Sequence, residues 1–396
     1  MTTYDFDTVI DRRGTHALKL DALKADFGHA DLLPLWIADM DFATPPFVLD
    51  ALRRRLDHPI LGYTAVPDEY YPTIARWLKE LHGWHVQPEW LTYIPGIVKG
   101  IGMVINVFLR PGDKVIIQPP VYPPFRHAPE DNGHEVVENP LLRQADGTYR
   151  MDFEQLARVA DERCKLLILS NPHNPGGILW DDDTLRQLAR FCLSRGILVV
   201  SDEIHADMAL WGRRHRPFAS VCEEAAACSV TFGAPSKTFN IAGVVSSYAV
   251  VPDTKLRERF FGWLTANELN EPTVFAPIAT MAAFTQGAEW RRQMLRYVEE
   301  NVRFVEEYCA EHLPAIRPLR PEASFLVWLD CRALGLGHDK LIELFTDRAR
   351  LALNDGETFG TGGEGYMRLN VGTPRSILRE ALERLRRALA DGGTTR

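Results

Sequence analysis

The chain has 396 residues, 46% of them hydrophobic and 25% charged, with a formal net charge of −8 at pH 7. That length exceeds what one simple core holds, so two lobes of an ordinary soluble globular protein are expected. The acidic balance argues against nucleic acid or an anionic membrane surface as the main partner, and no apolar stretch is long enough to span a bilayer.

Six cysteines, at 164, 192, 222, 228, 309 and 331, form no Cys-x-x-Cys pair. They read as reduced thiols of a cytosolic protein, not a disulfide framework. The start, Met1 to Asp7, lacks the basic region and apolar run of a signal peptide. A cytoplasmic location is expected.

Pro45-Pro46 precedes an amphipathic helix over Phe47–Leu56. Further helices are predicted over Asp68–Leu81 and Ile97–Phe108. The middle of the chain then alternates strand and helix. Apolar strands are predicted at Lys114–Ile117, Lys165–Leu169, Gly196–Val200, Ser229–Phe232 and Ser247–Val251, with a helix over Asp183–Ser194. Continuous apolar strands between helices point to a mostly parallel sheet covered on both faces. Ligands of such sheets bind beyond the carboxyl ends of the strands. Asn171, Asp202 and Ser236-Lys237 all fall there.

A long helix, Ala288 to Glu311, is predicted to link the large lobe to a smaller one. Strand Ser324–Leu329, a helix, strand Gly365–Asn370 and helix Pro374–Ala390 follow. The expected division is 46–287 for the large domain and 1–45 with 288–396 for the small one.

The residues that carry chemistry begin with Lys237, in Ala234-Pro235-Ser236-Lys237-Thr238-Phe239-Asn240. Burial disfavours an ammonium ion, so such a lysine can form an imine and act as a base. Asp202 closes an apolar run, where an acid is costly unless paired. It reads as a structural ion pair, a helix cap or the partner of a pyridinium nitrogen. Pyridoxal phosphate needs both groups, a lysine imine and an acidic ring partner. His205 is placed to hydrogen-bond that cofactor or to orient Asp202, or is simply structural.

Asn174 lies in Ser170-Asn171-Pro172-His173-Asn174-Pro175-Gly176-Gly177. Either this is a plain turn, or Asn174 donates to a phenolic oxygen. Gly96-Ile97-Val98-Lys99-Gly100 opens a helix, whose free N–H groups suit a phosphate. Ser236 can donate to that phosphate, and Gly243 is expected to permit close backbone packing. Tyr122 can stack on a ring or pack in its loop. Arg368, on an apolar strand, wants a planar anion: a substrate carboxylate or a structural partner. No metal is expected.

In chain order, the matching runs are Leu35 to Phe42, Gly62-Tyr63-Thr64, Asn171 to Pro175, Ser201-Asp202-Glu203-Ile204-His205, Ser236 to Asn240 and Arg368-Leu369-Asn370. Together they resemble the fold-type I pyridoxal-phosphate enzymes of the class I/II aminotransferase superfamily. The branch resembled is that of bacterial cystathionine β-lyases and related C–S lyases. His205, where aminotransferases usually carry tyrosine, and Ala38-Asp39-Met40-Asp41-Phe42 favour that branch.

The resemblance implies an α/β fold with a mostly parallel seven-stranded sheet and a smaller α+β domain. It implies Lys237 as the imine lysine, Asp202 as the pyridinium partner and Asn174 as the donor to the ring oxygen. Tyr122 would stack on the ring, and Arg368 and Ala38 would bind substrate. Ile97, Val98 and Ser236 would form the phosphate cup. Tyr63 would reach the phosphate of a neighbouring subunit, in a homodimer with shared sites. The chain departs from the family pattern at Thr15-His16-Ala17-Leu18-Lys19-Leu20-Asp21, at Lys99 and at Asn267 to Pro272. The first of these segments is expected near the active-site mouth.

The expected activity is β-elimination from cystathionine or another S-substituted L-cysteine, giving thiol, pyruvate and ammonia. Two rivals stand beside it. One is an aminotransferase or decarboxylating deaminase on the same scaffold. The other is a regulatory protein that uses the fold to bind a partner.

Overall fold

The computed structural model describes residues 2–392. Met1 and residues 393–396, the outer ends of the expected small domain, lie outside the described residues.

Seven strands form the main sheet: β1 (Leu91–Ile94), β2 (Lys114–Ile117), β3 (Glu135–Glu138), β4 (Cys164–Ser170), β5 (Leu198–Asp202), β6 (Ser229–Gly233) and β7 (Ser247–Val250). Their order is β1-β7-β6-β5-β4-β2-β3. Strand β7 runs antiparallel to both of its neighbours; every other pairing is parallel.

The pleat explains why these strands read as unbroken apolar runs. Val115, Ile117, Leu166, Ile168, Val200 and Val230 pack on one face, with Ile101, Val104 and Ile105. Those three lie at helical spacing on a helix of Ile97–Phe108. Alternate residues Ile116, Leu167, Leu169 and Val199 pack on the other face, with Leu185, Leu188 and Cys192 of the Asp182–Arg195 helix. A sheet buried on both sides has no polar face to break the pattern.

α1 (Ile97–Phe108) approaches the sheet closely at Gly100, where a Cβ would lie 2.7 Å from Ile94 Cδ1 and 3.0 Å from Phe232 Cζ. α2 (Ala288–His312) packs against α3 (Arg375–Gly392). A second, antiparallel sheet orders β8 (Arg317–Leu319), β9 (Leu326–Asp330), β11 (Tyr366–Asn370) and β10 (Asn354–Asp355) side by side. Near the N-terminus, Leu33–Pro34 pairs in parallel with Leu351–Ala352.

The strand expected at Gly196–Val200 is shifted. Gly196 is the left-handed cap of the preceding helix, at φ 64°, and the strand runs on through Ser201 to Asp202. Strands β1 and β3 and the helices Thr254–Ala266 and Phe275–Gln286 escaped the pattern reading. The last of these buries residues on nearly every side, so it carries no amphipathic stripe. Close packing was expected at Gly243, but a Cβ there would meet nothing within 4 Å. No helix among the described residues is long and apolar enough to cross a membrane.

Candidate active site

A cavity of about 130 Å³ lies beyond the carboxyl ends of β4 and β5, where a doubly wound sheet leaves room for a ligand. It is bounded by Ala38, Ile97, Val98, Tyr122, Asn174, Asp202, His205 and Lys237, all expected from sequence. Ser170, Pro172 and Ile204 complete it. All three sit beside expected residues, yet none has a side chain that announces chemistry.

Lys237 is half-buried, and its Nζ donates to the Ala38 carbonyl at 2.6 Å. Burial pulls its amine down to about 8; the charge of Arg368 adds to this, while Asp39 and Asp202 oppose it. Asp202 is lifted to about 6, again by burial. Its Oδ1 accepts the Ile204 N–H at 3.0 Å, and Lys237 favours its charged form. Burial also holds His205 down at about 3, so its ring is neutral. His205 Nδ1 lies 3.1 Å from Ser324 Oγ, and its ring meets Phe325 edge-on.

Asn174 Oδ1 accepts from Arg368 Nη1 at 3.1 Å, which leaves the amide nitrogen as the group free to donate. Arg368 is buried behind Asn174 and does not bound the cavity. Its Nη2 donates to Trp36 O at 2.9 Å and to Asn354 Oδ1 at 2.5 Å, but its Nε has no partner. Burial lowers its guanidinium to about 10.

Ile97 and Val98 open α1, preceded by Gly96 at φ 124°. Their N–H groups precede the first hydrogen bond of the helix, Gly100 N–H to Gly96 O at 2.9 Å. Tyr122 is held against Phe125, and burial raises its phenol. The peptide bonds Pro119–Pro120, Asn171–Pro172 and Asn174–Pro175 are cis.

Three expected residues, Arg368, Ser236 and Tyr63, do not bound the cavity. Ser236 is buried but does not bound the cavity, and its Oγ donates to Ser246 O at 3.2 Å. Tyr63 is fully exposed and lies outside its own chain's cavity.

The family profile for aminotransferases of class I and II matches residues 30–385. The chain belongs to that family. Among curated members, it is 42% identical to cystathionine beta-lyase PatB of Bacillus subtilis (strain 168), over 98% of this chain and 100% of that one. Cystalysin from Treponema denticola, a structure containing pyridoxal 5'-phosphate, aligns at a TM-score of 0.94 and 34% identity. That alignment covers 98% of this chain and 100% of cystalysin. The pyridoxal-phosphate-bound C–S lyase of Staphylococcus hominis aligns at 0.90 and 32% identity, over 98% of each chain. This member of the class I and II aminotransferases therefore has the fold-type I architecture, with its mostly parallel seven-stranded sheet.

Proposed function

We propose that this protein is a pyridoxal-phosphate-dependent carbon–sulfur β-lyase acting on cystathionine or another S-substituted L-cysteine. The observation that carries this is one cavity bounded by both Lys237 and Asp202, in a chain matched end to end by a cystathionine β-lyase.

The residues fit the cofactor. A buried carboxyl raised by desolvation awaits a cationic partner, as a pyridinium nitrogen would be. A buried guanidinium with an unpaired Nε awaits an anion. When bound, pyridoxal phosphate supplies a ring that withdraws electrons from the substrate α-carbon. Lys237 would hold its aldehyde covalently and Asp202 its ring nitrogen. Asn174 would donate to the ring oxygen, and Tyr122 would stack. The N–H groups of Ile97 and Val98, with Ser236, would hold the phosphate.

With substrate present, Arg368, whose Nε has no partner, would be the anchor for the α-carboxylate, with Ala38 beside it. With the cofactor bound, Lys237 Nζ would be the group placed to accept the Cα proton. Its lowered proton affinity raises the neutral fraction to about a tenth at pH 7, far above that of an ordinary lysine. Loss of the β-thiolate follows, and hydrolysis gives pyruvate and ammonia. His205 stays neutral, held by Ser324 and Phe325.

Assembly and location belong to the same reading. Residues 46–287 form the large domain, and 1–45 with 288–396 the small one; the separate antiparallel sheet and the Leu33–Leu351 pairing support this. The protein is a homodimer in which Tyr63 of the partner subunit reaches the phosphate. The exposed apolar run Ile60, Leu61 and Tyr63 supports that. Its location is cytoplasmic, in keeping with six free cysteines.

Lys237→Ala should abolish pyruvate release while leaving the fold intact by circular dichroism. Retention of full turnover would overturn the assignment.

A further inference from the structure

Residues 36–42 cross the mouth of the cavity with neither helix nor strand, so their backbone groups must find partners elsewhere. Nearly every carbonyl is held by a side chain. Arg368 Nη2 takes Trp36 O at 2.9 Å. Asn370 Nδ2 takes Ile37 O and Asp39 O, each at 2.7 Å. Asn240 Nδ2 takes Met40 O at 2.9 Å and Phe42 O at 2.7 Å. Ala38 O receives the Lys237 amine.

Two cations, Arg12 and Lys19, hold the same segment through its own Asp39 and Asp41. Arg12 donates to Asp39 through both terminal nitrogens, at 2.7 and 3.1 Å, and to Asp41 at 3.0 Å. Lys19 Nζ donates to both Asp41 oxygens at 2.9 Å and lies 3.5 Å from Asp39 Oδ1. The Lys19 side chain is only 1% exposed. A partly buried ion network of this kind gives little stability that an apolar patch would not also give. What it does provide is fixed geometry and fixed charge, one residue away from the acceptor of the Lys237 amine.

We propose that Arg12, Lys19, Asp39 and Asp41 are positioning residues for Lys237. The quartet pins the segment whose Ala38 carbonyl receives the lysine amine, and Asp39 sets the negative charge beside it. Burial alone would favour a neutral Asp39 carboxyl. The Arg12 hydrogen bonds and the charges of Lys19 and Arg12 outweigh this and keep it ionised. Asp39 in turn opposes the loss of charge that burial imposes on Lys237. The other charged or titratable groups facing Lys237 are Asp202, Arg368, His205 and Tyr122, none of which the test alters.

This inference rests on Lys237 being the cofactor lysine, and the test separates the two. Borohydride reduction of the holoenzyme and peptide mapping locate the attachment. Modification of any other lysine overturns the site reading and this inference with it. With attachment at Lys237, the absorbance of the lysine–cofactor imine is titrated against pH in the wild type and in variants. Asp39→Asn removes an anion and should lower the midpoint; Arg12→Gln removes a cation and should raise it. Each shift should reach about half a pH unit or more. Arg12→Lys keeps the charge and should return the midpoint to that of the wild type. A purely structural role predicts no shift, or shifts of one sign in Asp39→Asn and Arg12→Gln; either result overturns the proposal. Lys19→Gln should follow Arg12→Gln. If it does not fold, Arg12, on the exposed rim with 25% of its side chain accessible, still decides the question.

Discussion

Asp202 is a carboxyl placed where it destabilises the protein that carries it. Burial raises it from 3.8 to about 6. Between those values the folded protein retains a proton that the unfolded chain has released. The stability of the cofactor-free protein therefore falls as pH rises through that window and stays reduced above it, by about 3 kcal/mol at most. Asp202→Asn should raise the thermal midpoint of the cofactor-free protein at pH 8. The gap should close toward pH 4, and β-elimination should be lost. Thermal scans at the two pH values check the first part, and a variant no more stable at pH 8 would contradict it. Residues such as Asp202, Lys237 and Asn174 were legible because each follows an apolar strand whose end points at the site. Arg12 and Lys19 were not. Their partners lie 20 or more positions away, and no local period records a meeting made by the fold.

At the scale of elements, the site depends on how closely α1 sits on the sheet. Gly100 permits that approach, and an added methyl would press on Ile94 and the Phe232 ring. Gly100→Ala should destabilise the protein by about 1–3 kcal/mol. It should also weaken cofactor retention, because the same helix presents the Ile97 and Val98 N–H groups. Equilibrium dialysis against pyridoxal phosphate and chemical denaturation measure the two effects; unchanged retention would detach α1 from the phosphate. Helix α1 was read at its exact bounds because its apolar face repeats cleanly. Strand β3, Glu135-Val136-Val137-Glu138, was missed because it lies at the sheet edge with a charge at either end. Strand β5 was misplaced by two residues because Gly196 looked like a strand start. It serves instead as a left-handed helix cap, and the shift carries Asp202 onto the strand end itself.

At the scale of the whole molecule, the exposed Tyr63 and its apolar neighbours make the single chain incomplete under the proposed dimer. Tyr63→Ala and Lys237→Ala should each be strongly impaired alone. Mixed dimers of the two hold one site with both residues intact, so co-expression should restore part of the activity. Absence of recovery in confirmed mixed dimers would argue against shared sites. The long α2 and the strands β9 and β11 after it were legible in the sequence, and the two-lobed division is the proposal built on them. The reaction was not visible in the architecture, because one scaffold serves both transfer and elimination. Product chemistry therefore decides the central claim. The purified holoenzyme should be given L-cystathionine, L-cystine and several S-substituted cysteines with no oxo-acid acceptor, and pyruvate and thiol should be quantified over many turnovers. Continuous release of both in equal amounts is predicted. A 2-oxo acid that keeps the whole substrate side chain, or no pyruvate from any substrate, would contradict the assignment.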